Sequence, residues 1–420
     1  MDYGLIGKKL GHSFSAPIHE ELGGYRYQLR ELPDETALAE FLRKREFKAI
    51  NVTIPYKQAV MPACAYLDPA AKAIGAVNTI VNRNGVLSGY NTDYAGARRA
   101  MRRGGVELAD RVVLILGTGG TRRTFSAIAR DEGAREILVA GRSGGDGVLT
   151  YGEAARRADV QVVLNASPAG MWPHNGECLV DLSVWPALES VFDAVYNPLE
   201  TRLLWQAKQR GLPAVNGLAM LVGQAKYASE HFTGRSIPDE EIDRVHRTLL
   251  GRLANLVLVG MPGCGKTRIG RLAAQTLGRD FVDMDAEIEK AAGMSIPDIF
   301  SREGEQGFRD RETRVAEILG ARTGLVIATG GGAVLRGENV RALRQNGVIV
   351  YMQRSLDQLA VGGNRPLSSS REALEKMLAA RAPLYEAAAH RVVFNTGGPP
   401  SLARRDVLAA FRQALDAGVL

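Results

Sequence analysis

The sequence predicts an α/β protein built on parallel sheets. Three observations carry that prediction. Short apolar runs rich in Val, Ile and Leu recur along most of the chain, segments with helical spacing lie between them, and two of the runs lead straight into glycine loops.

The apolar runs are Val112–Leu116, Ile137–Ala140, Val162–Leu164, Val191–Ala194, Leu256–Val259, Val326–Ala328 and Val348–Met352. They are brief and mostly end at Gly, Asn or polar residues, as strands buried on both faces do. Arg122–Asp131 and Arg268–Leu277 place apolar residues at helical spacing between them. A further helical segment, Pro238–Leu253, ends just before the run at Leu256, so any linker near residue 250 is short.

Composition bounds the function classes. At roughly 100–200 residues per domain, 420 residues predict two to four domains. Apolar residues at 45% and charged residues at 24% exclude a mainly disordered chain. The net charge of +7 is spread over both halves without a basic tail, which fits small anionic ligands better than nucleic acid. Cys64, Cys178 and Cys264 form no C-x-x-C pair, so disulfides and zinc are not expected. No basic region followed by an apolar one opens the chain, and no apolar run is long enough to span a membrane. A reducing cytoplasm is the expected compartment, with neither a membrane nor a nucleic acid as partner.

The second glycine loop carries the stronger motif. Gly260-Met-Pro-Gly263-Cys-Gly265-Lys266-Thr267 fits G-x-x-x-x-G-K-[ST] in full, after a strand and before a helix. Its glycines let backbone N–H groups wrap phosphates, and Lys266 would neutralise the β and γ phosphates. Thr267 would give an oxygen to Mg²⁺, a hard ion that prefers oxygen ligands. Farther on, Asp283-Met-Asp285 sets two carboxylates on one face if the strand extends that far. One could serve the metal and the other an acceptor hydroxyl.

From about residue 255 to its end the chain resembles shikimate kinase. The matching stretches are the phosphate loop, Asp283-Met-Asp285, Ile296–Phe300, Gly304–Arg309 with Glu312, Thr329–Gly332, Arg365-Pro-Leu367 and Arg381–Tyr385. The resemblance implies a P-loop kinase domain using ATP and Mg²⁺, with Asp283 assisting the metal. It implies that Asp285 binds shikimate hydroxyls and acts as base, while Arg309 and Arg381 grip the carboxylate. Gly330, Gly331 and Gly332 form the turn whose amides face the substrate, and Arg365 is the lid arginine. Guanidinium forks suit carboxylates, and phosphoryl transfer needs mainly positioning and charge neutralisation. The stretch Leu359–Gly363 lacks the arginine that family members usually stack on adenine, and the lid is short.

The first glycine loop, Gly117-Thr-Gly119-Gly120, supplies the first two glycines of a dinucleotide fingerprint, with Arg122 at the third position. About twenty residues on, where NAD sites place a carboxylate, Arg142-Ser143 offers a guanidinium, which favours the 2′-phosphate of NADP. Upstream, Asn51–Lys57, Gly75–Thr79 and Gly89–Asp93 bring Asn, Thr, Lys and Asp beside short apolar stretches. Such groups suit a small polyhydroxylated ligand.

With His12–Ser15, Asn165–Met171, Asp193–Pro198 and Gly217–Gln224, these stretches resemble shikimate dehydrogenase over residues 1 to about 250. The resemblance implies a two-lobed dehydrogenase with a Rossmann-type NADP domain. Lys57 and Asp93 are its implied catalytic pair, Lys57 relaying the proton and Asp93 holding Lys57. Ser13 and Ser15 would hold the substrate carboxylate. Thr53, Asn78, Asn91 and Gln224 would hold hydroxyls, and Tyr196 would touch the same pocket. Gly117, Gly119, Gly120, Arg123, Arg142 and Ser143 would cradle NADP. Gly141 stands where the family has Asn, and the segment from Ser143 to Val160 is short, so one crossover is expected to be abbreviated.

The expected organisation is a substrate lobe at 1–94 completed by helices in 217–250, an NADP lobe at 95–216, and a kinase domain at 255–420. The expected function is reduction of 3-dehydroshikimate with NADPH followed by phosphorylation of shikimate with ATP. The alternatives are a quinate-preferring dehydrogenase fused to a small-molecule kinase, or a ligand sensor with a decayed kinase site.

Overall fold

In the computed structural model, which describes residues 1–11, 14–359 and 371–420, three sheets carry the chain. The chain divides into two units, Met1–Tyr196 with Thr201–His246, and Asn197–Glu200 with Arg247–Leu420. It passes from the first to the second within helix Glu240–Leu253, so no separate linker intervenes.

The first unit holds two six-stranded sheets. One orders its strands Gln28–Glu31, Tyr3–Gly7, Ala49–Val52, Thr79–Arg83, Val86–Tyr90, Tyr66–Leu67. It is mixed, not purely parallel. Thr79–Arg83 runs antiparallel to Ala49–Val52 and forms a hairpin with Val86–Tyr90. The hairpin turns on Asn84 (φ 53°) and Gly85 (φ 85°), the two positive φ angles that a tight hairpin turn requires.

The other sheet orders Ala214–Val215, Ser190–Asp193, Val162–Asn165, Val112–Leu116, Glu136–Gly141, Val148–Thr150, all parallel. Its central strands are wholly buried, and apolar clusters cover both faces. The last parallel pair is joined by residues 142–147 alone, although parallel neighbours usually need a crossover of about a dozen residues. Positive φ at Gly145, Asp146 and Gly147 folds that link back on itself. The abbreviated crossover expected from the sequence lies here.

Helices Thr92–Arg103 and Leu218–Thr233 cross at two glycines. A Cβ on Gly223 would come within 3.0 Å of the Gly96 Cα, and one on Gly96 within 2.6 Å of the Gln224 amide nitrogen. Only glycine permits this approach. It brings Asp93, at the start of one helix, and Gln224, on the other, to a common space.

The second unit is a five-stranded parallel sheet ordered Phe281–Asp283, Val326–Ala328, Asn255–Val259, Gly347–Gln353, Arg391–Phe394. Both glycine loops leave the C-terminal end of a central strand where the strand order reverses, the usual ligand position in open α/β sheets. Among the described residues, no helix is long and apolar enough to cross a membrane.

Candidate active sites

In the first unit a cavity of about 770 Å³ opens between the two lobes. Ser15, Thr53, Lys57, Asn78, Asp93, Tyr196 and Gln224 all line it. Lys57 follows the strand Ala49–Val52, and Asp93 lies in the first turn of helix Thr92–Arg103, where the backbone N–H groups favour a carboxylate. Lys57 Nζ donates to Asp93 Oδ2 over 2.6 Å. Their side chains are 25% and 14% exposed, so solvent only partly screens the pair.

A buried polar network fixes the wall behind them. Asn78 Oδ1 accepts from the Thr92 N–H at 2.8 Å, and Asn78 Nδ2 donates to Thr92 Oγ1 at 3.1 Å. Asn51 donates to the Asn78 carbonyl and to Thr79 Oγ1, and its own oxygen accepts from the Tyr27 hydroxyl at 2.7 Å. Below lies His19, wholly buried and stacked on Tyr27 with ring centroids 4.2 Å apart. Its Nδ1 is 2.8 Å from the Tyr25 hydroxyl, and burial pushes its pKa down to about 3.

Asp193 joins two loops on the cofactor side. It is fully buried and accepts from Asn165 Nδ2 (2.8 Å), the Val195 N–H (2.9 Å) and Thr201 Oγ1 (2.7 Å). Burial still raises its pKa to about 6. The loops it secures carry Met171, Ala194 and Tyr196 to the cavity.

The glycine loop fits a dinucleotide. Gly117 takes φ 102°, and a Cβ there would meet the Ser167 Cβ at 2.8 Å. Gly119 caps the helix Gly120–Asp131. Gly141 also has a steric reason, since a Cβ there would come within 2.9 Å of Thr118 Cγ2. Arg142 lies electrostatically close to Tyr151, beyond the strand Glu136–Gly141. Ser143 follows it in the same link.

Two expectations need correction. Asn91 does not line the cavity. It caps helix Thr92–Arg103, its Oδ1 accepting from the Tyr94 N–H and its Nδ2 donating to the Ala76 carbonyl, which holds the side chain away from the cavity lining. Arg123 does not face the glycine loop. Its guanidinium lies against the Gln58 side-chain amide and Gly75, beside the segment that carries Lys57. Ser13 lies outside the described residues. Sequence reasoning gave no role to Lys8, Lys9, Asn51 or Met171, which also line the cavity.

In the second unit the loop after Val259 bends through positive φ at Gly260 (145°), Gly263 (80°) and Gly265 (104°) and opens helix Lys266–Leu277. A Cβ on Gly260 would come within 2.5 Å of the Met352 carbonyl oxygen. Lys266 Nζ donates to the carbonyls of Gly260 (2.8 Å) and Met261 (3.0 Å). Thr267 Oγ1 donates to Asp283 Oδ2 at 2.8 Å, a hydroxyl and a carboxylate side by side as an oxygen-seeking divalent ion requires.

The two aspartates do not share a strand face. The strand stops at Asp283, which caps helix Met284–Ala292 and accepts from the Asp285 N–H at 3.2 Å. A helix cap, not strand alternation, brings them together.

Lys266, Thr267, Asp283, Asp285, Arg309, Arg381 and the turn Gly330–Gly332 line a cavity of about 670 Å³. Phe300 and Phe308 stack at 4.8 Å on its wall. Arg309 is buried and donates to Glu312 Oε2 at 2.8 Å. Glu312 is buried too, its pKa raised chiefly by burial, and its Oε1 has no hydrogen-bond partner among the described residues. Sequence reasoning matched Glu312 to the family without a role; its spacing of three from Arg309 on one helix was the available signal.

The glycine turn is crowded on every side. A Cβ on Gly330 would meet Asp285 Oδ1 at 2.6 Å, one on Gly331 would meet Pro262 at 2.8 Å, and one on Gly332 would strike the Arg309 guanidinium. Arg381 Nη1 (3.0 Å) and the Tyr385 hydroxyl (2.5 Å) both donate to the Gly331 carbonyl. Arg365 lies outside the described residues.

Comparison with known proteins agrees with both halves. A shikimate dehydrogenase from Clostridium perfringens, described as NADP(+)-dependent, is 34% identical over 264 residues, covering 59% of this chain and 97% of the relative. The chain belongs to the shikimate dehydrogenase family. The family model for the shikimate dehydrogenase substrate-binding domain matches residues 5–80, and the model for shikimate kinase matches residues 262–414. The chain therefore joins a shikimate dehydrogenase to a shikimate kinase domain. The crystal structure of a chorismate mutase/shikimate 5-dehydrogenase fusion from Clostridium acetobutylicum is 35% identical with a TM-score of 0.55, covering 59% of this chain and 96% of that one. The Thermus thermophilus shikimate 5-dehydrogenase, solved in complex with NADP(H) and shikimate, is 28% identical with a TM-score of 0.54, covering 59% and 99%.

Proposed function

We propose that the first half reduces 3-dehydroshikimate to shikimate with NADPH and that the second half phosphorylates shikimate with ATP and Mg²⁺. The 2.6 Å contact between Lys57 and Asp93, on the wall of a cavity with Ser15, Thr53, Asn78 and Gln224, carries the first reading. NADPH, when bound, supplies the hydride. Lys57 donates the proton that turns the reduced carbonyl oxygen into a hydroxyl, and Asp93 keeps the ammonium aimed. Ser15 holds the substrate carboxylate. Thr53, Asn78 and Gln224 hold its hydroxyls, and Tyr196 closes the pocket beside them. Gly117, Gly119 and Gly120 approach the pyrophosphate, with Arg142 and Ser143 at the 2′-phosphate.

In the second half Mg·ATP supplies the phosphoryl group. Gly260, Gly263, Gly265 and Lys266 cradle the phosphates, and Thr267 with Asp283 serves the metal. Asp285 orients the acceptor hydroxyl and takes its proton. Arg309 and Arg381 hold the carboxylate. Arg381 spends one donor on Gly331 and keeps others for the ligand.

The test uses the whole purified chain. Shikimate should drive NADP reduction, and shikimate should be required for ADP release. If neither depends on shikimate, the reading fails. Turnover of quinate faster than shikimate would reassign the first half's substrate.

A further inference from the structure

The nucleoside end of the kinase site has a side chain of its own. The phosphate loop leaves strand Asn255–Val259, which is flanked by Val326–Ala328 on one side and Gly347–Gln353 on the other. Asp283, Asp285 and the glycine turn lie on the first side. A triphosphate whose last phosphate faces that cavity must send its nucleoside the other way, over the ends of strands Gly347–Gln353 and Arg391–Phe394.

Arg354 stands at the first of those ends. Its Nη1 lies 3.3 Å from the Gly263 carbonyl of the phosphate loop. Its Nη2 lies 3.1 Å from where a Cβ on Gly397 would sit, on the loop after the second strand. That loop is tied to the phosphate loop separately, by Asn395 Nδ2 donating to the Cys264 carbonyl at 2.9 Å. Arg354 is therefore not needed to join the two. Its Nε is buried without a hydrogen-bond partner among the described residues, and Gln358 Oε1 lies 3.3 Å from the same Gly397 position. Arg354 is only partly buried, and a buried N–H left unmet costs stability that a ligand accepting from it or stacking on its plane would offset. Guanidinium planes pack readily on aromatic rings.

We propose that Arg354 is the nucleoside-contacting residue of the kinase half, setting affinity for the base-bearing end of ATP. This rests on the kinase reading above.

The test is calorimetric titration of the whole chain with MgADP and, separately, with magnesium tripolyphosphate, which fills the phosphate loop but has no nucleoside. Arg354→Ala should weaken ADP about tenfold, the scale of one cation–π contact, and leave tripolyphosphate within twofold of the parent. Arg354→Lys, which keeps the charge without the plane, should recover little of the ADP affinity. Equal weakening of both ligands would assign Arg354 to the phosphate loop through Gly263 and overturn the proposal. No change with either ligand would overturn it as well. An unchanged unfolding temperature of the variant excludes misfolding as the cause. If the parent chain binds neither ligand, the kinase reading itself falls, a result distinct from failure of the variant.

Discussion

The ammonium of Lys57 and the carboxylate of Asp93 meet at 2.6 Å although one follows a strand and the other opens a helix. The fold itself brings the two groups together. Lys57→Ala should therefore lower shikimate-dependent NADP reduction by about 10²–10⁴-fold, the usual worth of a positioned proton donor. ADP release in the same preparation should be unchanged. Absorbance of NADPH and a coupled ADP assay on one sample would check both, and loss of both would contradict two independent sites.

Thr267 and Asp283 offer their oxygens side by side. Asp283→Asn should raise the Mg²⁺ concentration for half-maximal phosphorylation by about 10–100-fold. The KM for shikimate should stay fixed, because the role proposed for Asp283 is at the metal and not at the acceptor. A Mg²⁺ titration at saturating shikimate reads the difference.

Arg309 and Glu312 form a buried ion pair. Removing Glu312 leaves the buried Arg309 with the exposed Glu305, at 3.2 Å, as its carboxylate partner among the described residues. Glu312→Ala should destabilise the kinase half by up to about 3 kcal/mol, the low end for a broken buried pair, because Glu305 still compensates part of the charge. It should also raise the shikimate KM, since Arg309 loses the neighbour that fixes its orientation. Urea denaturation and steady-state kinetics would test the two effects separately.

His19 gives the dehydrogenase half a pH signature. Its folded pKa of about 3 lies below the ordinary 6.5, so the folded state refuses a proton that the unfolded chain accepts. The stability it lends is complete above pH 6.5 and drains away as pH falls toward 3. Asp193, raised to about 6, works in the opposite sense between pH 6 and its ordinary 3.8. Comparison with His19→Gln isolates the first effect. The parent should lose about 1.4 kcal/mol per pH unit relative to the variant over that window. A constant difference in unfolding free energy from pH 7 to 4 would contradict it.

The sequence makes the parallel sheets and both glycine loops legible, because buried parallel strands are short unbroken apolar runs and phosphate loops need glycine at fixed spacing. The mixed sheet of the substrate lobe is less legible. Its edge strand Gln28–Glu31 is exposed at all four positions, Leu29 included, so no buried face marks it in the sequence. Asn91 illustrates a different limit. An Asn before a helix serves a ligand or a cap equally well by pattern, and here its oxygen caps the helix while its nitrogen holds the Ala76 carbonyl. Asp283 and Asp285 fit a strand face as readily as a capped helix, and only the chain's turn at Met284 decides. Arg123 turns toward Gln58 because of how the lobes pack, which no local pattern encodes.

Lys266 rests with its ammonium on the carbonyls of Gly260 and Met261. The side chain thus closes the loop into a ring from within. Its charge and its bracing of the loop's first turn belong to one group, so no single substitution at Lys266 removes one and spares the other.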